Sequence, residues 1–298
     1  MGISATVELI EYTDPGCSWA WGTEPKLRLL RWRHGDRLRW RRVMGGLVED
    51  MAKRVDGWDA ERAAPRTIGY WADVTGYTGM PYPARLRYVG RSTVPACRAV
   101  KAAERQSERV AQRVLRRLRE QTFVFGQPAD SVDRVLTAAT GVEGLDVEAL
   151  ARDLDSEATE AAYRADWEET RRPNRHVLDL TDDYVGNGRA KEAEGHMRYA
   201  FPTVVVRGPA AGEQTAPWWR PYARYEEILE TVSPGITEDP RPDPSPDDVF
   251  AKWGTAAPTE LAQLCGPDAE PPPGAVSYDW GAGVFHLSAS EARARGLS

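Results

Sequence analysis

The sequence predicts an α/β fold, and three segments near its start carry this prediction. Residues 7–12 and 37–44 alternate apolar and polar side chains as β-strands do, and residues 24–32 place leucines on one face of a helix. A strand, a helix and a strand within about 40 residues form a βαβ unit, whose right-handed crossover makes the strands parallel. We therefore expect a parallel strand pair that ends at Gly45 and Gly46.

The middle of the chain, residues 47–188, is predicted to be mainly helical. Its clearest helical patterns cover residues 95–119, 131–139, 146–154 and 156–170. The first of these carries many arginines with glutamates among them. We interpret its basic face as a solvated surface, and contact with an acidic partner or an anionic thiol cofactor is the alternative.

Strand patterns return after residue 200. Residues 201–206 contain Pro202 directly before a β-branched run, and a proline without an N–H marks the start of a strand. We expect a helix over residues 188–194, a fourth strand between residues 207 and 219, and a closing helix over residues 225–232.

The C-terminal part is predicted to be a separate small module. Five prolines between residues 234 and 246 predict a linker, followed by two short helices and a hairpin around residues 281–283. This order suggests a winged-helix-like α+β module. From residue 236 onward there are ten acidic and four basic residues, so this tail carries the whole net charge of −6. Because acidic surfaces repel phosphate, we expect the module to pack on or bind protein and not nucleic acid.

Composition excludes several further classes. There is no run of about 18 apolar residues that would cross a membrane, and no export signal is readable, so we expect a cytoplasmic protein. The three cysteines and four histidines are widely spaced and predict neither a disulfide framework nor a metal site. Eleven tryptophans indicate deep aromatic packing or a flat organic ligand.

The most informative segment is residues 12–22, which read Tyr-Thr-Asp-Pro-Gly-Cys-Ser-Trp-Ala-Trp-Gly. Cys17 lies where the first strand turns into the first helix, and the positive end of a helix dipole lowers a thiol pKa. The segment resembles the active site of the DsbA-like family of the thioredoxin superfamily, which includes FrnE-like and HCCA-isomerase-like proteins. That family has Asp-Pro-x-Cys-x-x-Cys, whereas this chain has Ala20 at the second cysteine.

The resemblance implies a thioredoxin-like fold with a large helical insertion. Its halves would span residues 1–46 and 189–233, the insertion residues 47–188, the linker residues 234–246 and the C-terminal module residues 247–298. Thioredoxin-fold proteins carry a cis-proline opposite the active-site cysteine, and Pro202, within Phe201-Pro202-Thr203, matches it.

Loss of the second cysteine leaves three functional hypotheses, because a C-x-x-C enzyme needs that thiol to resolve its mixed disulfides. In the first, Cys17 acts as a monothiol oxidoreductase on a small molecule or thiol conjugate, with a low-molecular-weight thiol of the mycothiol or glutathione type. In the second, the chain is a thiol-dependent isomerase or transferase in small-molecule biosynthesis. In the third, it is a catalytically inactive adaptor that binds a protein partner, with the acidic module as one such surface. A reactive, low-pKa Cys17 would separate the enzymes from the adaptor.

Candidate site residues follow from these hypotheses. Catalytic candidates are Cys17, Pro202 and, as acid or base, His196. Cys97 is a candidate distant resolving thiol, with a small buried core residue as the alternative. Substrate-binding candidates are Asp14, which could instead cap the turn, and Pro15, Ser18, Trp19, Trp21, Phe201 and Thr203. Further aromatic side chains, either pocket-lining or core, are Trp40, Tyr70, Trp71, Tyr77, Tyr82 and Tyr88.

Overall fold

A central four-stranded sheet organises the first part of the chain. The computed structural model describes residues 7–181, 184–193, 195–281 and 283–297. Strand β1 (Val7–Thr13) pairs in parallel with β2 (Leu38–Met44), and helix α1 (Ser18–His34) connects them, followed by a 3₁₀ turn at Gly35–Arg37. This is the predicted βαβ unit, although α1 begins six residues earlier than the leucine pattern indicated.

The helical region forms eight helices between β2 and the next strand. They are α2 (Met51–Arg54), α3 (Ala64–Thr78), α4 (Val94–Glu104), α5 (Glu108–Phe123), α6 (Val132–Ala139), α7 (Val147–Leu154), α8 (Glu157–Thr170) and α9 (Arg175–Leu178). Side-chain N-caps from Ser131, Asp146 and Ser156 begin α6, α7 and α8 where the sequence predicted them. The prediction of one helix over residues 95–119 is wrong, because Ser107 caps a new helix after α4 ends.

The second half of the sheet follows a short hairpin. The expected helix over residues 188–194 is wrong, since β3 (Lys191–Ala193) and β4 (His196–Arg198) pair antiparallel there; Glu194 lies outside the described residues. β5 (Thr203–Gly208) and β6 (Gly212–Pro217) then complete the strand order β2-β1-β5-β6. Helix α10 (Tyr222–Val232) packs with α1 on one face of this sheet.

The C-terminal residues form the elements expected of a small α+β module. They are α11 (Pro246–Trp253), β7 (Thr255–Ala256), α12 (Pro258–Cys265), β8 (Val276–Asp279), β9 (Val284–Leu287) and α13 (Ala289–Ala294), with sheet order β7-β9-β8. Ala282, in the predicted hairpin turn, lies outside the described residues. The segment that precedes α11 lies along the end of α1, where Trp32 Nε1 donates to Pro242 O at 2.6 Å.

The C-terminal module packs on α1 and α5 through both apolar and charged contacts. Phe285 and Leu287 join Trp21 and Phe123 in one buried cluster. Arg116 of α5 binds both carboxylate oxygens of the fully buried Glu260, at 2.9 and 2.7 Å. The C-terminal module therefore covers much of the basic face of α5, which the sequence analysis interpreted as solvated. The acidic groups that bind this face come from the same chain.

No helix in the described ranges combines the length and the apolar character that a membrane crossing requires.

Candidate functional site

Cys17 lies between the end of β1 and the first residue of α1. Its backbone N–H donates to Asp14 O at 3.2 Å, and it occupies the N-cap position of the helix. Its Sγ donates to the carbonyl oxygen of Phe201 at 3.3 Å. The peptide bond between Phe201 and Pro202 is cis. The two motifs that carry the resemblance, 184 residues apart in sequence, thus meet through one hydrogen bond.

The electrostatics of Cys17 differ from the prediction. The pKa of the Cys17 thiol is raised to about 11, mainly by burial and also by the nearby Asp14. Backbone N–H groups of Ala20 and Trp19 at the start of α1 and the charge of Arg119 act in the opposite direction. The expected helix effect is therefore present, but the side chain is only 5% exposed and desolvation of a thiolate outweighs it. The prediction of a lowered thiol pKa is wrong for this structure.

Asp14 is a buried structural acceptor, which favours the turn-capping alternative. Its Oδ1 accepts from Gly16 N at 2.8 Å, and its Oδ2 accepts from Leu47 N at 2.6 Å and Thr93 Oγ1 at 3.0 Å. Cys97 Sγ also donates to Oδ2, at 3.3 Å. Burial raises the pKa of Asp14, although the hydrogen bonds that it accepts act in the opposite direction. Burial and the charge of Asp14 both raise the pKa of Cys97.

Cys97 is fully buried in the core of the helical region. The structure thus places Asp14 and Cys97 beneath the site, where they hold the Cys17 turn against α4. Neither side chain lines the cavity beside Cys17.

That cavity has a volume of about 390 Å³, and only some of the predicted site residues line it. Five candidate site residues line it, namely Pro15, Cys17, Ser18, Trp19 and Phe201, and so do the insertion aromatics Tyr70 and Trp71. Trp19 Nε1 donates to Tyr70 Oη at 2.8 Å, and this bond fixes one wall. Other predicted residues do not line it: Trp21, Trp40, Tyr77, Tyr82, Tyr88, Pro202 and Thr203.

Two of the excluded candidates have clear structural reasons for their position. Trp21 is 2% exposed and donates to Pro81 O at 2.8 Å within the core next to the C-terminal module. Thr203 is fully buried in β5, opposite Tyr12 of β1, and its hydroxyl donates to Ala200 O at 2.6 Å. Both serve packing, and the predicted substrate contacts from them are wrong.

His196 is not placed to act on Cys17. It lies on the exposed side of β4, with its ring edge-on to Trp167 at a centroid separation of 5.8 Å, and does not line the cavity. Arg198, two residues further along the chain, is buried and lines the cavity. The expectation of a histidine acid or base is not supported, because His196 is exposed on a hairpin and does not line the cavity beside Cys17.

The cavity residues that sequence reasoning missed include Lys191, Arg198 and Trp218. Arg198 is 5% exposed; its Nη1 donates to Tyr199 O at 2.8 Å, and its Nε has no hydrogen-bond partner among the residues that the structure describes. Trp218 has φ of +64°, its N–H donates to Pro202 O at 2.7 Å, and its indole Nε1 is also unpartnered. Non-glycine residues with such φ values cluster at functional sites. The signal in the sequence was the Trp218-Trp219 pair directly after a predicted strand.

The arrangement combines a mainly apolar cavity with two buried donors that lack acceptors, Arg198 Nε and Trp218 Nε1. A protonated Cys17 thiol lies at its floor, already bound to a carbonyl. Such a site can bind an apolar group that carries an acceptor oxygen. It does not hold a thiolate ready to attack.

Comparison with known proteins agrees with this geometry at the level of the fold. The family model for Thioredoxin (Thioredoxin_5) matches residues 11–173. The ClpXP adapter protein SpxH of Shouchella clausii is 30% identical over 203 residues, covering 67% of this chain and 64% of that protein's length. The SpxH of Halalkalibacterium halodurans is 26% identical over 259 residues, covering 86% of this chain and 77% of that protein.

Two solved structures are similar in fold. A putative protein disulfide isomerase from Nitrosomonas europaea superposes with a TM-score of 0.56 at 18% identity, covering 76% of this chain and 97% of that one. The cytosolic disulfide reductase DsbM from Pseudomonas aeruginosa superposes with a TM-score of 0.51 at 20% identity, covering 77% and 94%. Because the family model spans more than half of its residues, this chain belongs to the thioredoxin family that the model describes.

Proposed function

We propose that this chain is a partner-binding adaptor that uses the cavity beside Cys17 to hold a segment of another protein. The observation that carries the proposal is the state of Cys17, whose buried thiol donates to Phe201 O and whose pKa is raised by burial to about 11. A thiol in that state is a poor nucleophile, and Ala20 offers no second sulfur to resolve a mixed disulfide. These features favour binding of a partner at the site over a catalytic cycle at Cys17.

The cavity suggests the chemistry of the bound segment. Trp19, Tyr70 and Phe201 offer apolar surface, and the unpartnered Arg198 Nε and Trp218 Nε1 need acceptors. A buried donor without an acceptor costs free energy, which a ligand oxygen would recover. An apolar side chain next to a carbonyl or carboxylate oxygen meets both requirements, and a protein segment supplies both.

The curated relatives suggest what binding achieves. Both SpxH proteins are ClpXP adapter proteins by name. By analogy, we extend the proposal to presentation of the bound protein to a ClpXP-type protease in the cytoplasm. The acidic surface of the C-terminal module is a second contact in this proposal, through the exposed Asp268, Glu270 and Asp279.

The proposal can be tested by measuring which proteins depend on the chain for degradation. In the source organism, the gene for this chain is deleted and then replaced by wild type, Cys17→Ala or Trp19→Ala. Protein half-lives are measured by pulse-labelled proteomics with and without ClpP. We expect a small set of proteins whose half-lives lengthen on deletion, only when ClpP is present.

The variants separate binding from thiol chemistry. Cys17→Ala is expected to restore the short half-lives within about twofold, because the adaptor does not use the thiol as a nucleophile. Trp19→Ala removes an aromatic wall and its hydrogen bond to Tyr70, and it is expected not to restore them. The adaptor proposal is wrong if no half-life depends on both the chain and ClpP, or if Cys17→Ala behaves as the deletion does.

One observation favours a second candidate function, monothiol redox chemistry with a low-molecular-weight thiol of the glutathione or mycothiol type. Cys17 lines the cavity, and Lys191 and Arg198 in the same lining could hold carboxylates. In this reaction the Cys17 thiolate attacks the oxidised disulfide RSSR, forms Cys17–S–S–R and releases RSH. Incubation with oxidised glutathione would then add one glutathionyl group at Cys17, detected by peptide mass spectrometry. An unmodified Cys17 after hours at pH 7.5 would contradict this candidate.

A further inference from the structure

A second cavity, which shares no lining residue with the Cys17 cavity, lies between the C-terminal module, α1 and α5. We call it the arginine groove. Its volume is about 740 Å³, and its lining includes Arg31 of α1, Arg119 of α5 and Arg295 at the end of α13. Eleven lysine and arginine side chains line it, against six aspartates and glutamates. The groove thus carries a net positive charge within a chain whose net charge is −6.

Several guanidinium groups in the groove have donors that nothing in the described residues accepts. Arg119 is 1% exposed, and its Nε has no hydrogen-bond partner although its other nitrogens bind Glu24 and Thr13. The side chain of Arg295 is 8% exposed, and its Nη1 is unpartnered. Arg31 Nη2 is a third such donor. Buried arginine N–H groups are normally satisfied, so these three side chains keep hydrogen-bonding capacity that the described residues do not use.

Like charges are also crowded along the groove. Burial, and next the charge of Arg42, lower the pKa of Arg31 to about 9, even though Glu11 and Glu108 act in the opposite direction. Burial and Arg295 lower the pKa of Arg117 in the same way. Most of these arginines pair with glutamates, two of which, Glu108 and Glu260, lie outside the lining. Within the described residues, Arg241 and Lys252 have no ion pair. An anion in the groove would relieve this repulsion.

We infer that the arginine groove binds a phosphate-bearing small molecule with at least two negative charges. Guanidinium groups match phosphate oxygens in pairs of hydrogen bonds, and the groove volume is within the range of about 300–1,000 Å³ typical of small-ligand sites. Trp32 and Trp253 also line the groove, and Arg241, stacked on the Trp32 ring at 3.7 Å, is held at the groove by this contact. The groove is walled on three sides by α1, α5 and the C-terminal module, which favours a small ligand over an acidic peptide.

The test uses inorganic pyrophosphate with the full-length chain. Binding is measured by isothermal titration calorimetry and by the rise in melting temperature, in buffers whose ionic strength is matched with NaCl. We expect saturable binding of the wild type. The groove variant removes three outer cations that hold no buried ion pair, through Arg113→Gln, Arg241→Gln and Lys252→Gln.

A matched control removes the same charge elsewhere, through Arg62→Gln, Arg164→Gln and Arg172→Gln, three exposed arginines outside the groove. The groove variant is expected to bind pyrophosphate at least about tenfold more weakly, and the control within about twofold of wild type. If the triple variant does not fold, the single variants Arg113→Gln and Arg241→Gln carry the comparison.

Three results would overturn the inference. They are a melting-temperature rise that NaCl alone reproduces, a groove variant that binds as the control does, and a glutamate-rich peptide that binds the groove when pyrophosphate does not.

Discussion

Removing the charge of Glu260 is expected to loosen the C-terminal module from the rest of the chain. Glu260 is fully buried and accepts from Arg116 at 2.9 and 2.7 Å and from Ala257 N at 2.8 Å, with Arg28 at 3.3 Å. Glu260→Gln keeps an acceptor for the backbone but leaves two buried guanidinium groups without their carboxylate. Breaking a buried ion pair from one side costs about 3–5 kcal/mol. We expect a loss of about 3 kcal/mol, because Glu24 and Glu120 still contact Arg116.

The assay is urea unfolding followed by tryptophan fluorescence, together with limited proteolysis of the native protein. Glu143→Gln is the matched control, since Glu143 is 71% exposed and pairs with Arg113 at the surface, where such pairs contribute about 0–1 kcal/mol. Glu260→Gln should lower the unfolding midpoint and expose sites after residue 246 to protease, and Glu143→Gln should do neither. A loss below about 1 kcal/mol for Glu260→Gln would refute the reasoning that this ion pair fastens the module.

Two further predictions concern the sheet and its surroundings. In Gly45→Ala the new Cβ would lie 1.9 Å from Phe201 Cζ, so we expect the free energy of unfolding, measured with a chemical denaturant, to fall by about 1–3 kcal/mol. The control is Gly69→Ala in helix α3, where the new Cβ meets nothing within 4 Å and the change should be neutral or stabilising. Equal effects of the two substitutions would contradict this prediction. Burial raises the pKa of Asp166 to about 6 despite its contact with Lys101 at 3.0 Å. Because this carboxyl pKa is raised on folding, the wild type is most stable below pH 4 and loses stability as the pH rises to about 6. Asp166→Asn has no such titration. Its unfolding free energy relative to that of the wild type should therefore rise by about 3 kcal/mol between pH 4 and 7. A difference that does not change with pH would show that Asp166 titrates normally.

The strands of the central sheet and most helices could be predicted because local signals decide them. Alternation marked β1 and β2, and a proline before a β-branched run marked the start of β5. Ser131, Asp146 and Ser156 begin their helices through side-chain caps that the sequence displays. The cysteine turn and the Phe-Pro-Thr segment were also predicted to meet, and one hydrogen bond joins them.

The errors arose where distant contacts decide the outcome. The segment after residue 188 pairs with itself as β3 and β4, so Arg198 replaces His196 in the cavity. The arginines of α5 look solvated in sequence because Glu260 and Glu291, their partners, lie more than 140 residues further along the chain. The pKa of Cys17 depends on how completely Trp19, Phe201 and the insertion enclose it. Enclosure of that kind has no local sequence signal.

The state of the Cys17 thiol is the most direct test of the account. The rate of its alkylation by iodoacetamide is measured from pH 6 to 11 in the folded protein by peptide mass spectrometry, which separates Cys17 from Cys97 and Cys265, and in denaturant as control. Because the pKa of Cys17 is raised from an ordinary 9.0 to about 11, the reaction at pH 7 is expected to be about 100-fold slower than in the unfolded chain. The rate should still rise about tenfold per pH unit above pH 9. A rate that reaches its plateau below pH 8 would show an activated thiolate, and it would contradict the adaptor proposal in favour of monothiol chemistry.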